Sequence, residues 1–289
     1  NSKSIEYIEI TAAESVGIEG RWGYFDGVGQ MRDMVQSHIL QLLCLIAMEP
    51  PSRLNDESIR NEKVKVLQAL QPLTENNISK SFIRAQYSDG EILGETKPGY
   101  LNEEGAKSNS TTETFVAIKA EIANWRWSGT PFYIRTGKRM AGKATNIVIH
   151  FKADAHFIFD QDQKSSIGNS LIISLHPTEG IALQVFTKRH GVNEGMRLRS
   201  DPMSLDFIKS QKLLKIPSGY KKLLLDILLG NQSLFLCKEE IELAWEWCDN
   251  AYKVWQKSLQ PLYSYPSGSN GPNESKILLQ QNGHKWHDE

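Results

Sequence analysis

Between Gly20 and His38 the chain reads GRWGYFDGVGQMRDMVQSH, a glycine-rich stretch that delivers Arg32, Asp33 and then His38 onto one run of helical periodicity. Glycines at this density let a backbone approach a ligand closely. An imidazole titrates near neutral pH and so can take or give a proton. Spacing alone leaves two roles open for His38. Seven residues after Met31 and three after Val35, it falls on the apolar stripe, shielded from water, where it is either a general base or a core histidine held by a backbone carbonyl. Asp33, five residues earlier, is turned about 140° from His38 on an ideal α-helix, so periodicity does not bring the two together.

A second candidate lies farther along, where Arg135, Lys138, Arg139 and Lys143 place four cations within nine residues around Gly137 and Gly142. Such a cluster can hold a phosphate or the hydroxyls of an anionic sugar through charge-assisted hydrogen bonds; the plainer alternative is a solvated hairpin turn. The phosphate-loop pattern ending in Gly-Lys-Ser/Thr is not present. Gly27-Val28-Gly29 continues as Gln30-Met31-Arg32 with no apolar strand directly before it, so it is not a dinucleotide-binding turn. His150, His156, His176, His190, His284 and His287 form no metal-ligand pattern with the cysteines. The pair His284 and His287 has no acidic third ligand nearby and is expected at the surface.

The bulk composition narrows the partners. Among 289 residues, 33 Lys and Arg nearly balance 34 Asp and Glu, for a net charge of -1, which lacks the basic excess of a nucleic-acid binder. With 40% hydrophobic and 23% charged residues the chain reads as soluble and globular. No apolar run approaches the roughly 20 residues that span a bilayer, and the first residues carry no apolar signal segment. They read instead as a fragment boundary. Cys44, Cys237 and Cys248 are widely spaced, which fits buried thiols in a reducing compartment, so the cytoplasm is expected.

The elements that must carry these residues follow from periodicity. Ile5 to Thr11 predicts a strand, and Glu14 to Gly29 a long glycine-rich loop. A helix is predicted from Met31 to Met48, stopped by Pro50-Pro51, and another from Asp56 to Leu70 behind an Asn55 cap. Six β-branched or aromatic runs come next: Phe82 to Tyr87, Glu113 to Ile122, Phe132 to Arg135, Asn146 to Lys152, Leu171 to Leu175 and Ile181 to Lys188. Helical spacing returns in Tyr220 to Leu229 and Glu239 to Leu259. Helices at both ends with strands between predict an α+β fold, a large and predominantly antiparallel sheet with helices packed on one face. Residues 261–289, rich in Pro, Gly and Ser, are expected as an irregular tail of the same domain formed by 1–260.

Three segments, EGRWGYFDGVGQMRDMVQSH with LQLLCLIAMEPP after it, NEKVKVLQAL and TPFYIRTGKR, resemble glucose-6-phosphate dehydrogenases of the bacterial type, with weaker agreement at KPGYL and ELAWEW. The resemblance runs over almost the whole chain. It implies the sugar-phosphate-binding C-terminal domain of an enzyme that oxidises glucose 6-phosphate at C1 and passes hydride to NADP. By that resemblance His38 is the proton acceptor, Glu14 and Asp33 are sugar-contacting carboxylates, and Lys138 and Lys143 are the substrate-contacting lysines. It further implies a homodimer formed through the sheet.

The family's Rossmann nucleotide domain has no match here, nor has its Arg-Ile-Asp-His-Tyr-Leu-Gly-Lys-Glu stretch, which supplies phosphate-binding groups and the carboxylate that orients the histidine. NADP is therefore expected to be bound mainly by that missing portion, and the isolated chain to be inactive. The sequence also departs from the family in detail. Ser37 replaces a usual Asn, and Ser218 lies where the family begins a helix with acidic residues. Ser174 and His176 stand where many members have an Arg and a Gln, which argues against a second nucleotide site. The competing reading is a noncatalytic sugar-phosphate-binding or assembly module of the same fold. Joint presence of His38, Glu14, Asp33, Lys138 and Lys143 argues against it.

Overall fold

The computed structural model describes residues 1–153, 168–188, 198–206, 219–232, 235–258 and 260–288. His156, His190 and Ser218 lie outside these. In chain order the elements are β1 (Ile5–Ala13), α1 (Trp22–Gln30), a π-helical stretch (Met31–Ile39), α2 (Leu40–Ala47), α3 (Asp56–Ala69), α4 (Ile78–Ser81), β2 (Phe82–Ser88), β3 (Gly90–Ile92) and β4 (Glu95–Lys97). Beyond them lie β5 (Phe115–Ala120), β6 (Phe132–Gly137), β7 (Ala144–Phe151), β8 (Ser170–His176), β9 (Gly180–Lys188), β10 (Leu198–Asp206), α5 (Gly219–Leu228), α6 (Lys238–Lys257), β11 (Tyr263–Pro266) and α7 (Glu274–Gln280).

Nine strands form one sheet in the order β10-β9-β8-β7-β1-β6-β5-β2-β11, and β3 and β4 pair by themselves. The large sheet is antiparallel except where β1 meets β6 and β11 meets β2, so the α+β expectation holds for a mixed but antiparallel-dominated sheet. Its central strands β1, β6, β5 and β2 are buried along nearly their whole length because both faces are covered there. Ile8, Ile10, Val116, Ile118, Phe132 and Ile134 share one core with buried residues of the π-helical stretch, α2, α3 and α6. Tyr7, Ile83, Ala85, Tyr87, Ala117 and Tyr133 share another with Trp22, Phe25, Leu278, Leu279 and Trp286. Residues of opposite parity along each strand thus enter opposite cores.

The helices form for local reasons as well. The Asn55 side chain accepts a hydrogen bond from the Ser58 N–H at 2.9 Å, and Asp56 and Glu57 occupy the first turn of α3, where the helix dipole favours anions. α6 docks through Ala244, Trp247, Cys248 and Ala251. A buried ion pair, Lys63 to Glu240 at 2.5 Å, and a Trp247 indole donating to the Gln71 carbonyl at 2.9 Å join it to α3 and the segment beyond.

Three expectations need correction. The glycine stretch is not a loop throughout, because Trp22 to Gln30 is helical, anchored by Trp22 and Phe25 in the core. Only Gly29 breaks the helical angles, with φ of 73°. The described part of the segment expected as an irregular tail, 261–288, is ordered: β11 pairs with β2 in register Tyr265 to Tyr87, and Tyr265, Leu279 and Trp286 are fully buried. Its Pro, Gly and Ser residues punctuate the turns between short ordered pieces. His284 is not a surface residue either, since its ring stacks on Tyr7 at 4.2 Å and its Nδ1 lies 2.9 Å from the Tyr133 hydroxyl.

Candidate active site

The three strands at the middle of the sheet end together. Ala13 closes β1 and pairs both with Gly137, the last residue of β6, and with Ala144, the first of β7. Glu14, Lys138 and Lys143 are the next residues outward on those strands, so sheet register alone brings them to one edge. The Glu14 N–H donates to the Gly137 carbonyl at 2.9 Å, and the Lys138 N–H to the Thr114 carbonyl at 2.9 Å.

Asp33 reaches the same place from the π-helical stretch. The Lys138 ammonium lies 2.6 Å from Glu14 Oε2 and 3.5 Å from Asp33 Oδ2, with its side chain 1% exposed while the carboxylates keep 23% and 20% of theirs. The ammonium also sits 5.1 Å from the centre of the Phe25 ring. One buried cation therefore holds two anions whose outer edges face solvent. This is an arrangement suited to accepting hydrogen bonds from neighbouring hydroxyls. Lys143 is exposed at the rim. Arg135, on the opposite strand parity, turns away to Asp288 at 2.6 Å and to the Trp286 ring, and Arg139 pairs with Glu103 at 3.3 Å.

The π-helical hydrogen bonding decides where His38 goes. The Leu40 N–H bonds the Val35 carbonyl, five residues back, and this wider turn places residues five apart in the relation that residues four apart have in an α-helix. Asp33 and His38 thus share a face, against the α-helical expectation of about 140°. The same change takes His38 off the apolar stripe that Met31, Val35 and Ile39 still follow. It is exposed rather than shielded. Ser37 donates its hydroxyl to the Asp33 carbonyl.

The start of this stretch is anchored by residues that sequence reasoning missed. Glu113 Oε1 accepts the Met31 N–H at 3.1 Å, and the Glu113 carbonyl accepts the Gln30 N–H at 3.0 Å. A Cβ on Gly29 would stand 2.5 Å from Glu113 Oε1, so glycine is required there for space as well as for its positive φ. Burial pushes the Glu113 carboxyl pKa up, opposed by Arg84, whose guanidinium lies 3.5 Å away. Arg84 in turn packs over Trp255 and Tyr252 of α6, while Arg32 lies over Tyr252 and pairs with Asp249 at 2.9 Å. The available signal was a charged residue at a core-facing strand position, Arg84.

A sequence model of the glucose-6-phosphate dehydrogenase C-terminal domain matches residues 1–287. The chain belongs to that family. The glucose-6-phosphate 1-dehydrogenases of Rhizobium meliloti (strain 1021) and Dickeya dadantii (strain 3937) are 47% and 42% identical to it, each over 100% of this chain but only 58% and 59% of their own lengths. A solved glucose-6-phosphate dehydrogenase in complex with its substrate glucose 6-phosphate superposes with a TM-score of 0.87 at 32% identity, covering 99% of this chain and 57% of that one. The chain thus spans under three fifths of the length of its glucose-6-phosphate dehydrogenase relatives. Among the described residues no helix is long and apolar enough to cross a membrane, and no group of three or more His, Cys, Asp or Glu is placed to hold a metal. Gly27 and Gly29 lie within α1 rather than in a turn ahead of it.

Proposed function

We propose that this chain is the sugar-phosphate-binding and dimerising portion of a glucose-6-phosphate dehydrogenase that oxidises glucose 6-phosphate at C1 to the 6-phosphogluconolactone. NADP, the hydride acceptor, is held by the N-terminal portion that the relatives possess. The observation that carries this reading is the convergence of Glu14, Asp33 and Lys138 within ion-pair distance, from three elements, with the exposed His38 on the same π-helical stretch as Asp33.

In this reading Glu14 and Asp33 accept hydrogen bonds from sugar hydroxyls through their solvent-facing oxygens. Lys138 fixes both carboxylates and adds positive potential, and Lys143 adds a second cation at the rim. His38 takes the proton from the C1 hydroxyl. Its carboxylate partner, which sets the imidazole's orientation, would come from the N-terminal portion, so the isolated chain turns over negligibly. Apolar side chains exposed on the outer strands, Ile181, Met203 and Leu205, support self-association through the sheet. A cytoplasmic setting accords with three cysteines that remain free thiols.

The test is turnover by the chain extended with that N-terminal portion. NADPH should form from glucose 6-phosphate, and His38→Ala should lower kcat by roughly a hundredfold to ten-thousandfold, the usual worth of a general base. An extended protein that binds the sugar phosphate but forms no NADPH would establish the noncatalytic module instead.

A further inference from the structure

Tyr265 lies on β11, in a segment whose composition reads as a tail, yet its ring is fully buried. Its hydroxyl stands 2.6 Å from the Lys138 carbonyl oxygen, 3.1 Å from Thr114 Oγ1 and 3.2 Å from the Thr114 carbonyl oxygen. A phenol has one proton to donate. The shortest contact assigns that proton to the Lys138 carbonyl. The Thr114 hydroxyl then donates to the phenol oxygen and itself accepts the Tyr87 N–H at 2.9 Å. In sequence, Tyr87 N–H, Thr114 hydroxyl, Tyr265 hydroxyl and Lys138 carbonyl form a relay that uses each donor once. Burial also drives the phenol pKa upward, which keeps Tyr265 a donor.

The consequence falls on Lys138. Its N–H is already held by the Thr114 carbonyl, so with Tyr265 on its C=O both ends of the residue are pinned where its side chain departs for Glu14 and Asp33. The same C-terminal segment ties down the turn after Lys138: the Gly268 N–H donates to the Arg139 carbonyl at 2.7 Å, and the Ala141 N–H to the Ser269 carbonyl at 3.0 Å. Parallel pairing of β11 with β2 sets Tyr265 opposite Tyr87 and so fixes the height from which the phenol reaches.

We propose that Tyr265 is a positioning residue of the sugar-phosphate site, its buried hydroxyl holding the peptide from which Lys138 is aimed. This rests on the proposed reading in which Lys138 serves glucose 6-phosphate. Replacing Tyr265 by Phe keeps the ring packed against Phe115 and Tyr87 but strands a buried carbonyl and the Thr114 hydroxyl. The loop then relaxes and Lys138 moves, and small displacements of a positioning group are costly in binding and turnover.

In the chain extended by its N-terminal portion, Tyr265→Phe should raise KM for glucose 6-phosphate about tenfold, equivalent to about 1.4 kcal/mol. KM for NADP should stay unchanged. Thr114→Val, one step back in the relay, should give a smaller rise with the same selectivity, and it decides the matter if the Phe variant does not fold. A lowered melting temperature with no change in KM for the sugar phosphate in either variant would make the relay purely structural and overturn the proposal. Lys138→Met separates the two levels. If it raises KM while Tyr265→Phe does not, only the positioning role fails; if Lys138→Met leaves KM unchanged, the site reading falls and the inference with it.

Discussion

Replacing Lys138 by Met isolates the charge at the centre of the site. The two side chains have similar length, so packing against Phe25 survives while the ammonium between Glu14 and Asp33 is lost. Removing one partner of a fully buried pair costs about 3–5 kcal/mol, whereas a surface pair is worth about 0–1 kcal/mol. Here the cation is 1% exposed and the anions 23% and 20%, so an intermediate loss of about 2 kcal/mol is expected at neutral pH. Urea denaturation followed by circular dichroism measures this. Adding Glu14→Gln removes one of the two carboxylates left without their cation and should recover part of the loss. A penalty undiminished by Glu14→Gln would refute the electrostatic account and leave only packing.

Other consequences are as direct. Burial lowers the His284 pKa to about 4 from an ordinary 6.5. The unfolded chain therefore binds the proton first, and up to about 3 kcal/mol of stability is present above the ordinary value and lost as pH falls toward the folded one. His284→Phe should flatten the melting-temperature profile across that window, and an unchanged slope would exclude His284 as its source. Trp286 is fully buried, donates its indole N–H to the Ser275 carbonyl at 3.1 Å and stacks under Arg135. Trp286→Ala should cost about 3–5 kcal/mol in denaturant titrations, while a change near zero would restore the tail reading. Burial pushes the Cys44 thiol up to about 12 and the Cys248 thiol upward as well. Cys237 alone of the three should alkylate rapidly in the folded chain, as mass spectrometry would show; fast labelling of Cys44 would contradict the burial.

Seven strands, β1, β2 and β5 to β9, were legible in the sequence as β-branched or aromatic runs such as Phe132-Tyr133-Ile134, whereas the three-residue strands β3 and β4 and the polar, exposed edge strand β10 left no such run. The Asn55 cap was legible because its side chain acts within one turn. The π-helical stretch was not, since bonding five residues back leaves no mark in composition, and the 3.6-residue period then put His38 on the wrong face. β11 was hidden by its Pro, Gly and Ser neighbours: a four-residue strand supplies too little pattern to outweigh them, and its partner β2 lies far back in sequence. Glu14, Asp33 and Lys138 could not be joined by spacing, because they meet only when β1, the π-helical stretch and β6 converge. Resemblance to the family supplied those residues. Why a glycine stands at position 29 became physical only with Glu113 beside it.

If this chain carries the sugar-phosphate half of a dehydrogenase, it depends on an N-terminal portion for the rest. The most direct measurement compares NADPH formation from glucose 6-phosphate by the isolated chain and by the chain extended with that portion, at equal concentration. Turnover by the extended protein and none by the isolated chain is the predicted result; turnover by the isolated chain, or none by either, would contradict it.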